Sequence, residues 1–211
     1  MRGGRGGGVG GVGGEGVGWA VSGAGMLGAG RGGGTRVVCV DGRSGAGKTS
    51  LAMRLAEETG APVVALEDLY GGWDGLERGI DLLVSAVLTP VAEGRTARVP
   101  RYDWTTGAWG APWLLAPPAV LIVEGVGAGA RRAAAYASAL VWVEAATATR
   151  RNRALVRDGA TFAPYWEMWA AQEAALLARE QTPGRADLVI GQDEDSAAAA
   201  RRVAGWLARR G

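Results

Sequence analysis

Residues 42–49 read Gly-Arg-Ser-Gly-Ala-Gly-Lys-Thr, which fits the phosphate-binding pattern Gly-x-x-x-x-Gly-Lys-Ser/Thr known as the P-loop. The glycines allow backbone N–H groups to converge on a phosphate, and the helix that follows adds the positive end of its dipole. Lys48 can reach the β- and γ-phosphates, and the Thr49 hydroxyl can ligate Mg²⁺. The motif therefore predicts binding of ATP or GTP together with Mg²⁺. The residues expected at the nucleotide are Gly42, Ser44, Gly45, Ala46, Gly47, Lys48, Thr49 and Ser50.

An acidic residue follows a second apolar stretch of the chain. Residues 119–123 read Ala-Val-Leu-Ile-Val, and Glu124 comes next. Because strand ends face the ligand in parallel sheets, Glu124 is expected beside the P-loop, where it can hold Mg²⁺ directly or through water. A single carboxylate, rather than the Asp-Glu pair of many hydrolytic ATPases, favours transfer to a bound acceptor over activation of water. The alternative interpretation of Glu124 is a solvated strand end.

Two carboxylates, Glu67 and Asp68, follow a third apolar segment at residues 62–66. An acceptor hydroxyl needs a nearby carboxylate that orients it and accepts its proton. Both residues are therefore catalytic candidates, and the alternative is that they are solvated loop acids.

Arginines recur on one predicted helix at Arg150, Arg153 and Arg157. The spacing i, i+3 and i+7 places them on one helix face. A basic face over the P-loop could neutralise the charge of a transferring phosphoryl group. The alternative is an ordinary solvated charged face.

An aromatic–acid–aromatic run, Tyr102-Asp103-Trp104, lies in a polar segment. Its rings could stack on a planar or sugar ligand while Asp103 binds ligand hydroxyls. A buried aromatic corner explains the same pattern equally well.

Strands and helices alternate from residue 36 onward, which is typical of an α/β fold with a parallel sheet and helices on both faces. The apolar runs and helical periodicities come in the following order. Strands are expected at 36–40, 62–66, 119–123, 140–143 and 187–190, and helices at 50–58, 76–91, 147–158, 164–180 and from Ser196 onward.

Composition excludes several classes of function. The chain has 211 residues, 48% of them hydrophobic, which suffices for one domain with its own core. Its net charge is only +2 without a concentrated basic stripe, so nucleic acid is not an expected partner. The absence of histidine removes His-based triads and most zinc sites. The single cysteine, Cys39, is expected in the core of the first strand.

Residues 1–34 differ from the rest, since 18 of the 34 are glycine. Such a segment cannot bury enough surface to offset its backbone entropy, so it is expected to be a disordered tail. It could equally be an artefact of an early start site, because Met26 is an internal start candidate. The folded domain is expected at residues 35–211. Apolar runs are too short for a membrane span, and a cytoplasmic protein is the default expectation.

From 36 to 190 the order of motifs resembles the uridine kinase-like branch of the P-loop small-molecule kinases. The P-loop is followed by Glu-Asp-Leu-Tyr at 67–70 and Tyr-Asp-Trp at 102–104. Then come Ile-Val-Glu-Gly at 122–125, the arginine helix and Arg-Ala-Asp-Leu-Val-Ile at 185–190. The resemblance implies the P-loop NTPase fold, with a five-stranded parallel sheet and an Arg-bearing lid. It also implies transfer of a phosphoryl group from ATP or GTP to an acceptor hydroxyl.

The resemblance also implies roles for individual residues. The base falls on Glu67 with Asp68 adjacent, and the choice between the two stays open. Lys48 and the lid residue Arg153 would act on the phosphates in catalysis, and Arg150 would bind the nucleotide. The residues implied in binding the acceptor are Tyr70, Tyr102, Asp103, Trp104 and Arg157.

One departure from the family pattern concerns the acceptor. Uridine–cytidine kinases read the base partly with a histidine three residues after the aromatic of this motif, and here that position is Gly107. Three hypotheses follow: a nucleoside kinase, a kinase of another small metabolite alcohol, and a regulatory nucleotide-binding ATPase. The expected partner is a small-molecule acceptor, not nucleic acid or a membrane, and assembly into a homo-oligomer is left open.

Overall fold

The computed structural model describes residues 34–210, with the exception of the side chains of residues 157–162. The glycine-rich tail predicted for residues 1–34 lies outside the described residues, apart from Gly34. Five parallel strands form one sheet, as the sequence predicted: β1 (Arg36–Asp41), β2 (Val63–Ala65), β7 (Val120–Glu124), β8 (Ala137–Glu144) and β9 (Leu188–Gly191). Their order in the sheet is β2-β7-β1-β8-β9.

The central strands are buried on both faces, which explains their continuous apolar runs. In β1, Val37 and Cys39 face one core, while Val38 and Val40 face the other. All five residues of β7 are buried. Cys39 is a core residue, as expected.

Helices cover the two faces of the sheet, so the predicted three-layer fold is confirmed. The packing of α1 (Lys48–Thr59) against α8 (Ser196–Ala208) covers one face, and α2 (Leu76–Leu82) and α6 (Trp166–Glu180) lie over the other. The lid is α5 (Thr147–Phe162). The short helices are α3 (Thr89–Ala92), α4 (Arg131–Ala134) and α7 (Thr182–Arg185). None of these helices is long and apolar enough to cross a membrane.

The helix predicted at 76–91 is interrupted by a π-helical turn, Leu83–Leu88, between α2 and α3. The Thr89 N–H donates to the Val84 carbonyl, five residues back. Pro90 follows, and a proline lacks an N–H and crowds the carbonyl four residues earlier. A local widening of the helix accommodates that ring.

The last helix, predicted from Ser196 onward, begins at Ser196. Its N-cap is Asp195, whose carboxylate accepts the Ala198 N–H at 2.9 Å. Aspartate is among the strongest caps, so the helix starts where its side chain can reach the free N–H.

Two small antiparallel pairs, which the sequence did not indicate, form the segment between α3 and β7. In the first, β3 (Ala97–Val99) pairs with β6 (Trp113–Leu115). In the second, β4 (Tyr102–Asp103) pairs with β5 (Ala108–Trp109). This hairpin carries the aromatic–acid–aromatic run predicted to contact the acceptor.

Candidate nucleotide and acceptor site

The P-loop lies between the end of β1 and the start of α1. At Gly45, φ is +76°, and a Cβ would lie 2.1 Å from the Arg150 carbonyl oxygen, so only glycine fits there. No side chain caps the N-terminus of α1, which begins after Gly47. Free N–H groups at a helix start form a favourable site for an anion such as phosphate.

Lys48 is the only lysine among the 23 basic residues of the chain. Its side chain is largely buried, and its ammonium donates to the Arg43 carbonyl at 3.1 Å. An ammonium is a compact charge that suits phosphate, whereas arginine serves every other basic position. The lone lysine was a signal in the sequence that the motif search did not use.

The hydroxyl of Thr49 and the carboxylate of Glu124 meet at the sheet edge. The Thr49 hydroxyl donates to Glu124 Oε1 at 3.0 Å, because Val40 of β1 pairs in register with Glu124 of β7. Both groups present hard oxygen donors, which Mg²⁺ prefers. Within the described residues no group of three acidic, His or Cys side chains could hold a metal ion. This pair still fits Mg²⁺, since that ion is commonly held by one or two protein oxygens plus substrate phosphates.

Asp41, the last residue of β1, is a buried acid that the motif search missed. Its Oδ1 accepts the N–H groups of Gly42 at 2.7 Å and Gly127 at 3.0 Å, and its Oδ2 accepts the Gly129 N–H at 2.9 Å. Burial raises the pKa of Asp41 despite these bonds. The carboxylate joins the P-loop to the loop after Glu124. In the sequence, Asp41 stands out as an acidic residue at the end of an apolar strand, directly before the glycines of the P-loop.

Two predicted lid arginines reach the P-loop in different ways. Arg150 is only 2% exposed, and its guanidinium donates to the Ser44 carbonyl at 3.2 Å and to the Ala145 carbonyl at 3.1 Å. The pKa of the Arg150 guanidinium is lowered, mainly because the group is buried and to a lesser extent because the positive charge of Arg43 is near. Arg153 is exposed, and its Nη1 donates to the Ala46 carbonyl at 3.4 Å. The third predicted position, Arg157, has its side chain outside the described residues.

The candidate acceptor carboxylates lie on a 3₁₀ turn, Leu66–Leu69, directly after β2. The side chain of Glu67 is exposed, and its carbonyl accepts the Trp104 indole N–H at 3.1 Å. Asp68 is half-buried, and this burial raises its pKa against the opposing effect of Arg101. Because Ala65 pairs in register with Glu124, the turn lies at the same sheet edge as the candidate Mg²⁺ pair.

Aromatic rings extend the site beyond these carboxylates. Trp104 packs against Trp73 with ring centroids 4.8 Å apart and edge-on against Tyr102 at 5.3 Å. Trp73 also stacks face to face on Tyr165 at 4.5 Å. These four residues, here called the aromatic cluster, are half-buried or exposed and form an apolar wall.

Two residues predicted to bind the acceptor already have internal partners. The Asp103 carboxylate accepts the N–H groups of Thr105 at 2.8 Å and Thr106 at 3.3 Å, and these bonds lower its pKa. Tyr70 is buried, and its hydroxyl donates to the Val126 carbonyl at 2.8 Å. Their roles in binding the acceptor stay predictions. Gly107 closes the same hairpin at φ +68°.

Comparison with known proteins identifies the fold. No family model and no curated protein matches the chain. Solved structures do match, among them a possible uridine kinase from Bacillus stearothermophilus with 19% identity and a TM-score of 0.56. That alignment covers 81% of this chain and 91% of the other.

Two further solved structures are similar. A putative fructose transport system kinase from a Silicibacter species is 19% identical with a TM-score of 0.54, over 76% of this chain and 91% of that one. A shikimate kinase from Acinetobacter baumannii, in complex with shikimate, is 12% identical with a TM-score of 0.52, over 83% of this chain and 94% of that one. The chain therefore has the fold of the P-loop kinases, and the predicted likeness to uridine kinase-like proteins is confirmed at the level of fold.

Proposed function

We propose that this protein is a small-molecule kinase that transfers the γ-phosphate of ATP or GTP to an acceptor hydroxyl. The observation that carries the proposal is the convergence of three features at one sheet edge. They are the P-loop with its single lysine, the Thr49–Glu124 pair, and the carboxylates of Glu67 and Asp68 on the neighbouring strand end. The fold shared with the P-loop kinases supports the same conclusion.

The proposed mechanism assigns charge stabilisation to the P-loop and the lid. Lys48 keeps one of its three donors on the Arg43 carbonyl and contacts the β- and γ-phosphates with the others, and Arg153 approaches the transferring group from the lid. Thr49 and Glu124 would hold Mg²⁺, which when bound neutralises phosphate charge. The Arg150 guanidinium is occupied by the carbonyls of Ser44 in the P-loop and of Ala145, just before α5, so it acts on the nucleotide through the shape of the loop.

The second half of the mechanism concerns the acceptor. A carboxylate of the 66–69 turn orients the acceptor hydroxyl and takes its proton as the O–P bond forms. Glu67 is the proposed base by its position in the motif. The raised pKa of Asp68 keeps that residue in consideration, since a base titrating nearer neutrality is a better proton acceptor.

The acceptor is proposed to be a nucleoside, whose planar base could stack on the aromatic cluster. A second candidate is another small alcohol, and two observations favour it. Asp103 is engaged within its own turn, and Gly107 offers no side chain to read a base. A cytoplasmic location and the absence of nucleic-acid partners remain predictions.

A coupled ADP-release screen across nucleosides, sugars and other small alcohols, with Mg²⁺ present, tests the proposal. A kinase shows ADP release that rises with one class of acceptor, and the Lys48→Ala variant loses it. A regulatory ATPase instead shows slow release that no acceptor stimulates.

A further inference from the structure

Helix α6 carries two buried glutamates, Glu173 and Glu180, which are 1% and 5% exposed. Glutamate is almost never fully buried unless it is paired. Glu180 accepts the backbone N–H of Arg131 at 2.8 Å and pairs with Arg179 at 3.1 Å, away from the P-loop. Glu173 lies two turns earlier on the same face, and two of its partners, Arg43 and Ser44, are in the P-loop.

The carboxylate of Glu173 binds the first half of the P-loop. Its Oε1 accepts the Ser44 N–H at 2.7 Å and the Trp169 indole N–H at 3.1 Å. Its Oε2 accepts Arg43 Nε at 3.0 Å, and Arg150 Nη1 lies 3.9 Å away. Two arginines therefore balance its charge, and its hydrogen bonds fix one peptide unit of the loop.

That peptide unit also holds the catalytic lysine. The Ser44 N–H and the Arg43 carbonyl belong to the same peptide group, and the carbonyl accepts the Lys48 ammonium at 3.1 Å. The Glu173 carboxylate binds the Ser44 N–H on one side of this peptide group, and it thereby orients the Arg43 carbonyl on the opposite side toward Lys48. The Trp169 indole adds a bond to the Ser44 hydroxyl at 2.9 Å, so α6 holds Ser44 at two atoms.

We infer that Glu173 is a positioning residue for the nucleotide site, which acts through the Arg43–Ser44 peptide to set the position of Lys48. The residue does not touch the reacting atoms. The inference rests on the proposed use of Lys48 at the phosphates. It adds a residue of α6, far from the P-loop in sequence, to the machinery that determines nucleotide affinity.

The test compares Glu173→Ala with Glu180→Ala, a matched control that removes a buried carboxylate, a backbone hydrogen bond and an arginine pair from the same helix. Because Lys48 is the only lysine, its acylation by a lysine-selective reagent can be followed by peptide mass spectrometry without any assay of activity. Binding of Mg-ADP is measured by calorimetry on the same preparations.

Glu173→Ala is expected to speed Lys48 acylation and weaken Mg-ADP binding, each by about tenfold, the scale of losing hydrogen bonds to a charged group. Glu180→Ala should change neither, although both variants lower Tm. Glu173→Gln keeps an acceptor for the Ser44 N–H and should restore most of the affinity. Equal behaviour of the Glu173 and Glu180 alanine variants overturns the inference. If the alanine variants fail to fold, Glu173→Leu and Glu180→Leu, which remove the carboxylate but keep most of the side-chain volume, decide by the same comparison. Failure of the wild type to bind either Mg-ADP or Mg-GDP would instead contradict the proposed function.

Discussion

The proposed phosphate end and the proposed acceptor end of the site are built in different ways. Around the P-loop, the charged groups of Asp41, Arg150 and Glu173 are buried, and each has partners within the protein. At the proposed acceptor end, the hairpin of β4 and β5 is largely exposed, and its aromatic rings pack against one another. Burying charge demands an exact set of partners, whereas ring stacking tolerates change.

This difference separates what is common to proteins with a P-loop from what is particular to this chain. The phosphates of a nucleotide are the same whatever the acceptor is, so the P-loop follows one pattern that the motif reveals. An acceptor can be recognised in many ways, and a short exposed hairpin can change without disturbing the sheet. Variants at the two ends should therefore have separable effects on the binding of the nucleotide and on the use of the acceptor.

The largest effect is expected for Lys48→Ala. Loss of the ammonium should lower kcat by at least roughly 10²-fold, the scale for one donor to a developing charge, while Tm stays within a few degrees. Steady-state kinetics measure kcat, and thermal melts measure Tm. Lys48→Arg is the control for charge alone, and it should not restore activity, since a planar guanidinium does not fit a point-charge site. Wild-type turnover in Lys48→Ala at saturating ATP would remove this residue from the mechanism.

At the acceptor end, Glu67→Gln should lower kcat by roughly 10²-fold or more, because it removes the proton acceptor and keeps its size. Asp68→Asn should do less, and nucleotide binding should survive in both. Steady-state kinetics of the two variants, measured with the same acceptor, compare their losses of kcat. A severe loss in Asp68→Asn beside a mild one in Glu67→Gln would reverse the assignment. Mild losses in both would point to positioning rather than proton transfer.

Glu124→Gln tests the proposed metal position. The amide retains a hydrogen-bond acceptor for Thr49 but loses the charge that attracts Mg²⁺, so the Mg²⁺ concentration for half-maximal activity should rise about tenfold. Titration of Mg²⁺ at fixed ATP gives the value. An unchanged requirement would show that Glu124 is only a buried partner of Thr49.

Trp104→Phe sharpens the comparison of the two ends. The variant keeps an aromatic ring but removes the indole N–H that bonds the Glu67 carbonyl. We expect the KM for the acceptor to rise by several-fold, on the scale of one hydrogen bond, with the KM for ATP unchanged. A parallel rise in both values would mean that the two ends are not independent.

The smallest effect concerns Cys39 in the core. Burial, with a further effect from Asp41, raises the pKa of its thiol to about 12. The thiol stays protonated in the folded protein, so alkylation between about pH 7 and 9 should be negligible. Denaturant should restore the ordinary rise of labelling with pH. Rapid labelling of the native protein would contradict the burial of this strand.

The sequence predicted the sheet well because a strand buried on both faces must be a continuous apolar run, as at 36–40 and 119–123. Strands of two or three residues, such as β4 and β5, are too short to show such a run, and tertiary contacts determine whether they form. The candidate Mg²⁺ pair followed from the P-loop pattern and the strand-end acid. Glu173 was unpredictable from sequence, since the helical spacing of α6 cannot show which loop a buried carboxylate meets.

In the proposed reaction, a phosphoryl group passes from the P-loop nucleotide to a hydroxyl at the proposed acceptor end. Mass spectrometry of the acceptor, after incubation with ATP labelled at the γ-phosphate with oxygen-18, follows this transfer. The label is expected in a phosphorylated acceptor, with little labelled inorganic phosphate, and Lys48→Ala and Glu67→Gln should lose this product. Label found only in inorganic phosphate, whichever nucleoside, sugar or small alcohol is supplied, would contradict a kinase.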